Sequence, residues 1–313
     1  MLSNEKVSIN ILHYNSFEKT KQCILSCMNQ KKIDYEIIVI DNHSSNDSLD
    51  SLKDYFKEHR IDYLENKDNY GYAKGNNIGV QYALDKGIRY SLLLNNDITL
   101  AGDYVLEKLV KVMETYGCAV AAPYIYNVTA DGLELNQNDS AYLKLLRLFR
   151  VLPENKVYDE NVQEVSEAQG SALLVDNREF VKAGGFPEHY FMYGEEGCFA
   201  KKLLCASKKI LWYRDEKDFV LHHHDKTNSV DPWRVYLMGR NRALEYYENR
   251  SASFFRWKFV FTFFYLSVLV QKNRVYLSGM KCGKKLVKKK SDYEAIYRHA
   301  KEVRTQKIEG MRL

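Results

Sequence analysis

Five short apolar runs near the start of the chain, VSINIL (7–12), YEIIVI (35–40), IDYLE (61–65), RYSLLL (89–94) and CAVAA (118–122), alternate with longer stretches of helical spacing. Short apolar runs, each separated from the next by room for a crossover helix, predict a parallel sheet wound with helices. The intervening residues agree. Ser16 can cap a helix in which Thr20, Cys23, Ile24, Cys27 and Met28 share one face, and Gly87 and Gly117 stand where helices should end. Residues 1–122 therefore read as a Rossmann-like, nucleotide-binding half.

Beyond Pro123 the periodicity weakens, and NVTADGLELNQND reads as turns and loops, a natural place for an excursion toward a second substrate. Order returns with GSALLVD (170–176) as a strand, a short helix, and GGFPEHYFMYGEEGCFAKKLL, whose last part can form a helix beginning near Glu195. KILWY and DFVLH read as a further β pair leading into His222, His223 and His224. These elements complete a domain over 1–230, with halves 1–122 and 123–230, and residues 231–313 read as a helical, basic region.

The net charge of +5 conceals a division, because residues 231–313 hold 19 Lys/Arg against 7 Asp/Glu while residues 1–230 are net negative. A basic end attracts nucleic acid phosphates or anionic lipid. Within it, FVFTFFYLSVLV (259–270) has 12 residues, too few to span a bilayer, which needs about 20. No acidic residue occurs from Asn249 to Ser291, and 281–290 is KCGKKLVKKK. An aromatic apolar stretch beside a lysine cluster fits a helix lying in an anionic membrane surface. A helix packed on the rest of the protein, with a solvated basic tail, is the alternative. Six cysteines without CxxC spacing read as reduced thiols, with Cys23 and Cys27 in the core. MLSNEKVSINIL lacks a charged leader followed by a long apolar stretch, so a cytosolic location is expected.

Groups that contact a nucleotide collect at the carboxyl ends of parallel strands. The first strand ends in His13-Tyr14-Asn15, where Tyr14 can contact a base or ribose. The second ends in Asp41 and Asn42, which either pair with the imide edge of uracil or thymine or form an Asx-turn and helix cap. After the third comes Asn69-Tyr70-Gly71-Tyr72-Ala73-Lys74-Gly75-Asn76-Asn77, a loop entering a helix, with glycines for close backbone approach and Lys74 for a phosphate. The fourth stops at Asn95, Asn96 and Asp97, which form either a plain turn or, with Asp97, a ligand for Mn2+ or Mg2+ on a diphosphate. Glu195 and Glu196 are adjacent carboxylates at a helix start, favoured there by the helix dipole or used as a general base, with Glu196 preferred. His222 and His224 point to one face of their strand and can complete a metal or diphosphate site. Arg240 clamps a phosphate or forms a surface salt bridge.

Taken in order, VSINILHYNSFEKT, EIIVIDNHSS, NYGYAKGNNIG, LLLNND, QGSALLV, GGFPEHYFMYGEE, LHHH and GRNR resemble glycosyltransferase family 2, especially its rhamnosyltransferase-like members of bacterial polysaccharide assembly. The resemblance runs over about residues 7–242 and implies the α/β GT-A fold, with a mixed central sheet and a helical C-terminal extension. It implies that Asp41 and Asn42 read the base, that Asn69 to Asn77 line the nucleotide, and that Asp97 is the aspartate of a DxD-type metal motif with Mn2+ or Mg2+. Asn96 and Arg240 are placed at the nucleotide, and His222, with His224 second, matches the family's histidine after the strand. Glu196 stands where the family has its base, in a Glu-Glu pair where Glu-Asp is usual, and Cys198 occupies a position often acidic. The implied chemistry is inverting transfer from a nucleotide diphosphate sugar, with dTDP-rhamnose ahead of UDP-hexoses and UDP-galactofuranose. The implied acceptor is a saccharide, lipid-linked if the C-terminal region meets the cytoplasmic membrane face.

Other classes lose support on motifs. No GxGxxG follows the first strand, no GxxxxGK[ST] occurs, and HYNSFEKT is not the glycine-rich basic loop of a nucleotidyltransferase. Nucleic acid is not expected as a partner. A non-catalytic, membrane-attached module that binds nucleotide sugar or RNA remains the alternative from another class.

Overall fold

The computed structural model describes residues 6–136, 141–223, 231–248, 254–271, 273–288 and 292–305. In chain order the elements are β1 (Val7–His13), α1 (Phe17–Met28), β2 (Tyr35–Asp41), α2 (Asp50–His59), β3 (Asp62–Glu65), α3 (Gly71–Asp85), β4 (Tyr90–Asn95), β5 (Ile98–Ala101), α4 (Val105–Tyr116) and β6 (Val120–Pro123). There follow β7 (Ile125–Thr129), β8 (Gly132–Leu135), α5 (Ala141–Leu148), β9 (Lys156–Val157), β10 (Val162–Glu164), β11 (Ala172–Asp176), α6 (Asn177–Lys182) and α7 (Glu195–Cys205). The chain closes with β12 (Ile210–Tyr213), β13 (Phe219–His222), α8 (Pro232–Glu248), α9 (Phe254–Val270), α10 (Arg274–Lys288) and α11 (Tyr293–Thr305).

Two compact units share these elements: residues 1–138, 155–186 and 199–226 form the first, and residues 139–154, 187–198 and 227–313 the second. Residues 139–154 and 187–198 group with the C-terminal unit and not with the residues before 230 that surround them in sequence.

The first unit is built on a nine-stranded sheet in the order β3-β2-β1-β4-β11-β6-β12-β10-β9. β1 runs parallel to β2, from Val7 opposite Tyr35 to His13 opposite Asp41, and parallel to β4, ending at Leu12 opposite Asn95. This register brings the ends of the three strands level, so the polar residues that follow them form one rim. β11 is antiparallel to β4, which makes the sheet mixed. Ile9, Ile11, Ile38, Ile40, Leu92 and Leu93 are fully buried because helices cover both faces. α3 packs close: a Cβ at Gly75 would lie 2.6 Å from Leu12 Cδ1 and one at Gly79 2.9 Å from Ile40 Cδ1. α1 buries Thr20, Cys23, Ile24 and Cys27 as its spacing requires, with Met28 partly buried. Ser16 occupies the N-cap position, but its side chain makes no capping hydrogen bond. Gly117 caps α4 at φ 61°, and Gly87 follows α3 at φ 80°.

Three expectations are corrected. NVTADGLELNQND, read as turns and loops, holds most of the hairpin β7–β8, and the helix α5 follows it where no element was read. A strand absent from the sequence reading, β5, directly follows Asp97. KILWY and DFVLH do not pair with each other, since β12 joins β6 and β10 in the large sheet while β13 lies between β5 and β7 in a second sheet of order β5-β13-β7-β8.

In the second unit, α8 and α10 cross in close contact. A Cβ at Gly239 would sit 2.2 Å from the Tyr276 carbonyl, one at Gly279 2.0 Å from that of Tyr236, and one at Gly283 2.4 Å from that of Arg240. Three glycines at one crossing thus let two backbones meet where any side chain would force them apart.

Candidate active site

In the first unit, the loops after β1 and β2 are tied together. Asn15, at φ 55°, donates its N–H to Ser44 Oγ (3.0 Å), and its side-chain oxygen accepts from the Ser45 N–H (2.7 Å). Asp41 is buried and accepts from the Ser44 hydroxyl at 2.5 Å and the Ser44 N–H at 3.1 Å. Those bonds leave acceptor capacity on its carboxylate. Beside it His13 is fully buried, bonded to Thr20 Oγ1 (2.6 Å) and Ser48 Oγ (3.0 Å). Burial lowers its pKa against the opposing charge of Asp41. Tyr14 is half-buried at the same rim.

Asn42 does different work from that expected. Its amide donates to the Gly71 carbonyl (2.9 Å) and Asn69 Oδ1 (3.3 Å), and its oxygen accepts from the Tyr70 N–H (3.0 Å) and Asn66 Nδ2 (3.3 Å). All four bonding positions of the amide are used, so Asn42 fastens the loop that opens α3 and has none left for a base edge. Asn69 Oδ1 also accepts from the Gly71 N–H (3.0 Å), and Gly71 sits at φ 73°, a conformation that favours glycine. Lys74 places its ammonium over the Tyr70 ring, 4.5 Å from the centroid. Asn77 bonds both ways to the backbone of Phe186 (2.9 and 3.0 Å), which fixes the turn at Gly184-Gly185. Its amide thus holds this turn.

At the end of β4, Asn96 donates to Thr20 Oγ1 (3.0 Å) and so anchors the turn to α1. The Asp97 carbonyl accepts from the His223 N–H at 2.9 Å, and β13 lies against β5 with His222 opposite Ile98. This pairing brings His222 Nε2 to 3.3 Å from Asp97 Oδ1. That oxygen is buried, and no described group is aligned to donate a hydrogen bond to it. Burial opposes ionisation of Asp97, but the neighbouring His222 and the charge of Lys19 outweigh it and hold the carboxyl below its ordinary range. His223 bonds to Thr99 Oγ1 at 3.0 Å, and His224 lies outside the described residues. Among the described residues, no group of three or more His, Cys, Asp or Glu converges as a metal site.

In the second unit, Glu195 and Glu196 open α7, after a loop of unusual backbone. Phe191 has φ 70° and ψ −59°, the rare and strained γ-turn geometry, Tyr193 has φ 73° and Gly194 φ 92°. Such a loop persists only if its surroundings over-determine it, and Arg240 and Asn241 of α8 supply that. Arg240 is fully buried, donating from Nη1 to the Ile296 carbonyl (2.9 Å), from Nη2 to that of Tyr190 (2.9 Å), and from Nε to Asn241 Oδ1 (2.9 Å). The Asn241 amide donates to the carbonyls of Met192 (2.8 Å) and Tyr193 (2.7 Å). Arg240 is thus neither a phosphate clamp nor a surface ion pair. It braces the chain that leads into the glutamates, and Asn241, not singled out in the sequence, works with it. Glu248 adds bonds to His189 (2.9 Å) and the Tyr190 hydroxyl (3.1 Å).

The two glutamates differ in exposure. Glu195 is 2% exposed, and burial, with the charge of Glu196 adding to it, pushes its pKa well above the ordinary carboxyl range. Backbone N–H groups of Glu195 and Tyr193 only partly oppose this. Glu196 is half-exposed.

A profile described as Glycosyl transferase family 2 matches residues 8–166. The chain is 28% identical over 243 residues to the low-salt glycan biosynthesis hexosyltransferase Agl10 of Haloferax volcanii, covering 77% of this chain and 75% of that one. It is 28% identical over 215 residues to the rhamnosyltransferase WbbL of Escherichia coli K12, covering 64% and 78%. Its fold matches the crystal structure of GalNAc-T7 with UDP, GalNAc and Mn2+ at a TM-score of 0.66 and 14% identity, over 96% of this chain and 55% of that one. The chain therefore belongs to glycosyltransferase family 2, a GT-A enzyme that uses a nucleotide-sugar donor.

Proposed function

We propose that the protein is an inverting hexosyltransferase that moves L-rhamnose from dTDP-rhamnose to a hydroxyl of a lipid-linked saccharide in cell-surface polysaccharide assembly. The observation that carries the reading is the Asp97–His222 pair, an ionised carboxylate kept beside an imidazole at the end of a buried strand. The rhamnosyl donor is supported by the likeness to WbbL, and UDP-hexose or UDP-galactofuranose donors are the alternatives.

A Mn2+ or Mg2+ ion that bridges a diphosphate takes only one or two carboxylates and is otherwise completed by phosphate oxygens and water. The buried Asp97 Oδ1 beside His222 is a donor set of that size, so the residues fit such an ion. When bound, it would neutralise charge developing on the departing diphosphate, the task a general acid performs in a glycosidase. Asp41 accepts from the imide N–H of the base, Tyr14 covers the base or ribose, and Lys74 meets a phosphate. Glu196, the exposed member of its pair, takes the proton of the attacking hydroxyl. Glu195 keeps its own proton and supports the turn.

The acceptor's lipid is supported by the C-terminal region. No described helix is long and apolar enough to cross a membrane. α9 nevertheless exposes Phe259, Phe263 and Leu266 within a stretch free of acidic residues. An anionic membrane surface suits that combination.

A panel of dTDP- and UDP-sugars with Mn2+ or Mg2+, read by thermal stabilisation and release of nucleotide diphosphate, tests the reading. Stabilisation and turnover with dTDP-rhamnose, both lost in Asp97→Ala, are expected. A protein that no nucleotide sugar stabilises, and in which Asp97→Ala changes nothing, would refute it.

A further inference from the structure

The second unit contains a cavity of about 440 Å3 that the proposed reaction does not use. It opens among the end of α8, the middle of α9 and α10. Tyr246, Tyr247, Phe261, Tyr265 and Met280 line it. Tyr246 stacks on Phe261 with centroids 4.1 Å apart and planes at 10°, so the aromatic wall is packed. Three exposed lysines, Lys258, Lys281 and Lys284, complete the lining, and no carboxylate takes part in it.

Three ammonium groups around an aromatic hollow select an anion attached to something apolar. A small inorganic anion would leave the walls unused, and a neutral apolar molecule would leave the lysines unmatched. Lysine binds phosphate as a compact point charge. An apolar ridge on α9 lies beside the cavity. Phe259, Phe263 and Leu266 are 55%, 52% and 52% exposed and, four and three residues apart, share one face. Val268, on the far side, and Val260, on the flank, are buried. The cavity-lining face of the same helix, with Phe261, Thr262 and Tyr265, borders that exposed ridge.

We propose that this cavity takes the phosphate-bearing headgroup of an anionic membrane lipid, while Phe259, Phe263 and Leu266 enter its acyl layer. The assignment rests on the membrane reading of the C-terminal region and adds to it a defined lipid site. Aromatic rings with polar tips, such as Tyr247 and Tyr265, suit the headgroup level.

Vesicle co-sedimentation of the full chain tests it. Wild type is expected to bind phosphatidylcholine vesicles containing phosphatidylglycerol. The triple variant K258Q/K281Q/K284Q should lose about tenfold more binding than R256Q/R274Q/K285Q, which removes equal charge from exposed positions outside the cavity. Vesicles charged to the same extent with oleate, which has no phosphate, should bind wild type more weakly, and the cavity variant should not distinguish the two. Unchanged thermal unfolding and donor turnover on a soluble acceptor would confirm that both triple variants fold. Equal losses in the two triple variants, or no preference for phosphate over oleate, overturn the lipid site. If inorganic phosphate alone stabilises wild type through these lysines while vesicle binding ignores them, the cavity is a soluble-anion site and the proposal fails. Wild type that binds no anionic vesicle refutes the membrane reading as well.

Discussion

Asp97 and Glu195 are both withdrawn carboxyl groups, one in each unit, and their pKa values move in opposite directions. Asp97 stands beside His222 and within reach of Lys19, and these hold it ionised despite burial. Among the described residues, burial and the like charge of Glu196 outweigh the backbone N–H groups of Glu195 and Tyr193 and favour the proton of Glu195. Depth alone does not set charge; the partner within a few ångströms does. The first unit thus keeps a negative charge at the end of β4, and the second keeps a neutral acid beside a half-exposed glutamate.

The sharpest way to break this contrast is to remove the charge at Asp97. Asp97→Asn keeps the shape and should lower kcat/KM by about 10^4-fold, because several kcal/mol of charge stabilisation is lost. Donor stabilisation by nucleotide diphosphate sugar with Mn2+ should vanish with it. Retained turnover in this variant would remove Asp97 from the site.

Glu196→Gln is next in size. It should cost about 10^3-fold in kcat while leaving donor binding intact, as expected when a general base is removed. A loss of donor affinity instead would place Glu196 at the nucleotide. Below it comes Arg240→Lys, a test of whether the strained loop sets the position of the glutamates. A lysine keeps the charge but loses the planar fork that reaches the carbonyls of Ile296 and Tyr190, so kcat should fall by about tenfold with little change in KM. The variant should also unfold at lower temperature. If kcat and KM are both unchanged, the brace is structural only.

The strands of the first unit were legible because short apolar runs recur with helical spacing between them, and the strand ends then located Asp41, Asp97 and His222. β5 was hidden because ITLA follows its turn at once and is only four residues long. The partners of β12 and β13 depend on which sheet edge each meets in space, and no local pattern records that. Asn42 and Arg240 were misread for one reason. A polar side chain near a strand end or on a helix can serve a ligand or a neighbouring carbonyl, and spacing does not distinguish the two. The helix start near Glu195 was legible, whereas positive φ at Phe191 and Tyr193 had no signal in those residue types. The assignment of 139–154 and 187–198 to the C-terminal unit was likewise unreadable, since both follow from tertiary packing.

The smallest expected effect sharpens the contrast most directly. Glu195 has a folded-state pKa raised above its unfolded value, so the folded protein holds a proton that the unfolded chain releases. Between those two values the unfolded state binds fewer protons, and stability must fall as pH rises. Below the ordinary glutamate pKa the group is protonated in both states and has no effect of this kind. Glu195→Gln removes the titration but keeps the size. At pH 8 the variant should therefore melt about 2–4 °C above wild type, a shift on the order of 1 kcal/mol for a chain of this length. At pH 4 the two melting curves should converge. Asp97→Asn should show the opposite sign: Asp97 has a lowered folded pKa, so the stability it contributes is present above its unfolded value and lost as pH falls through the folded one. Melting curves of both variants across pH 3 to 8 would show the two differences opening in opposite directions. Parallel behaviour would mean that Glu195 is ionised in the folded protein, and the neutral acid behind Glu196 would have to be given up.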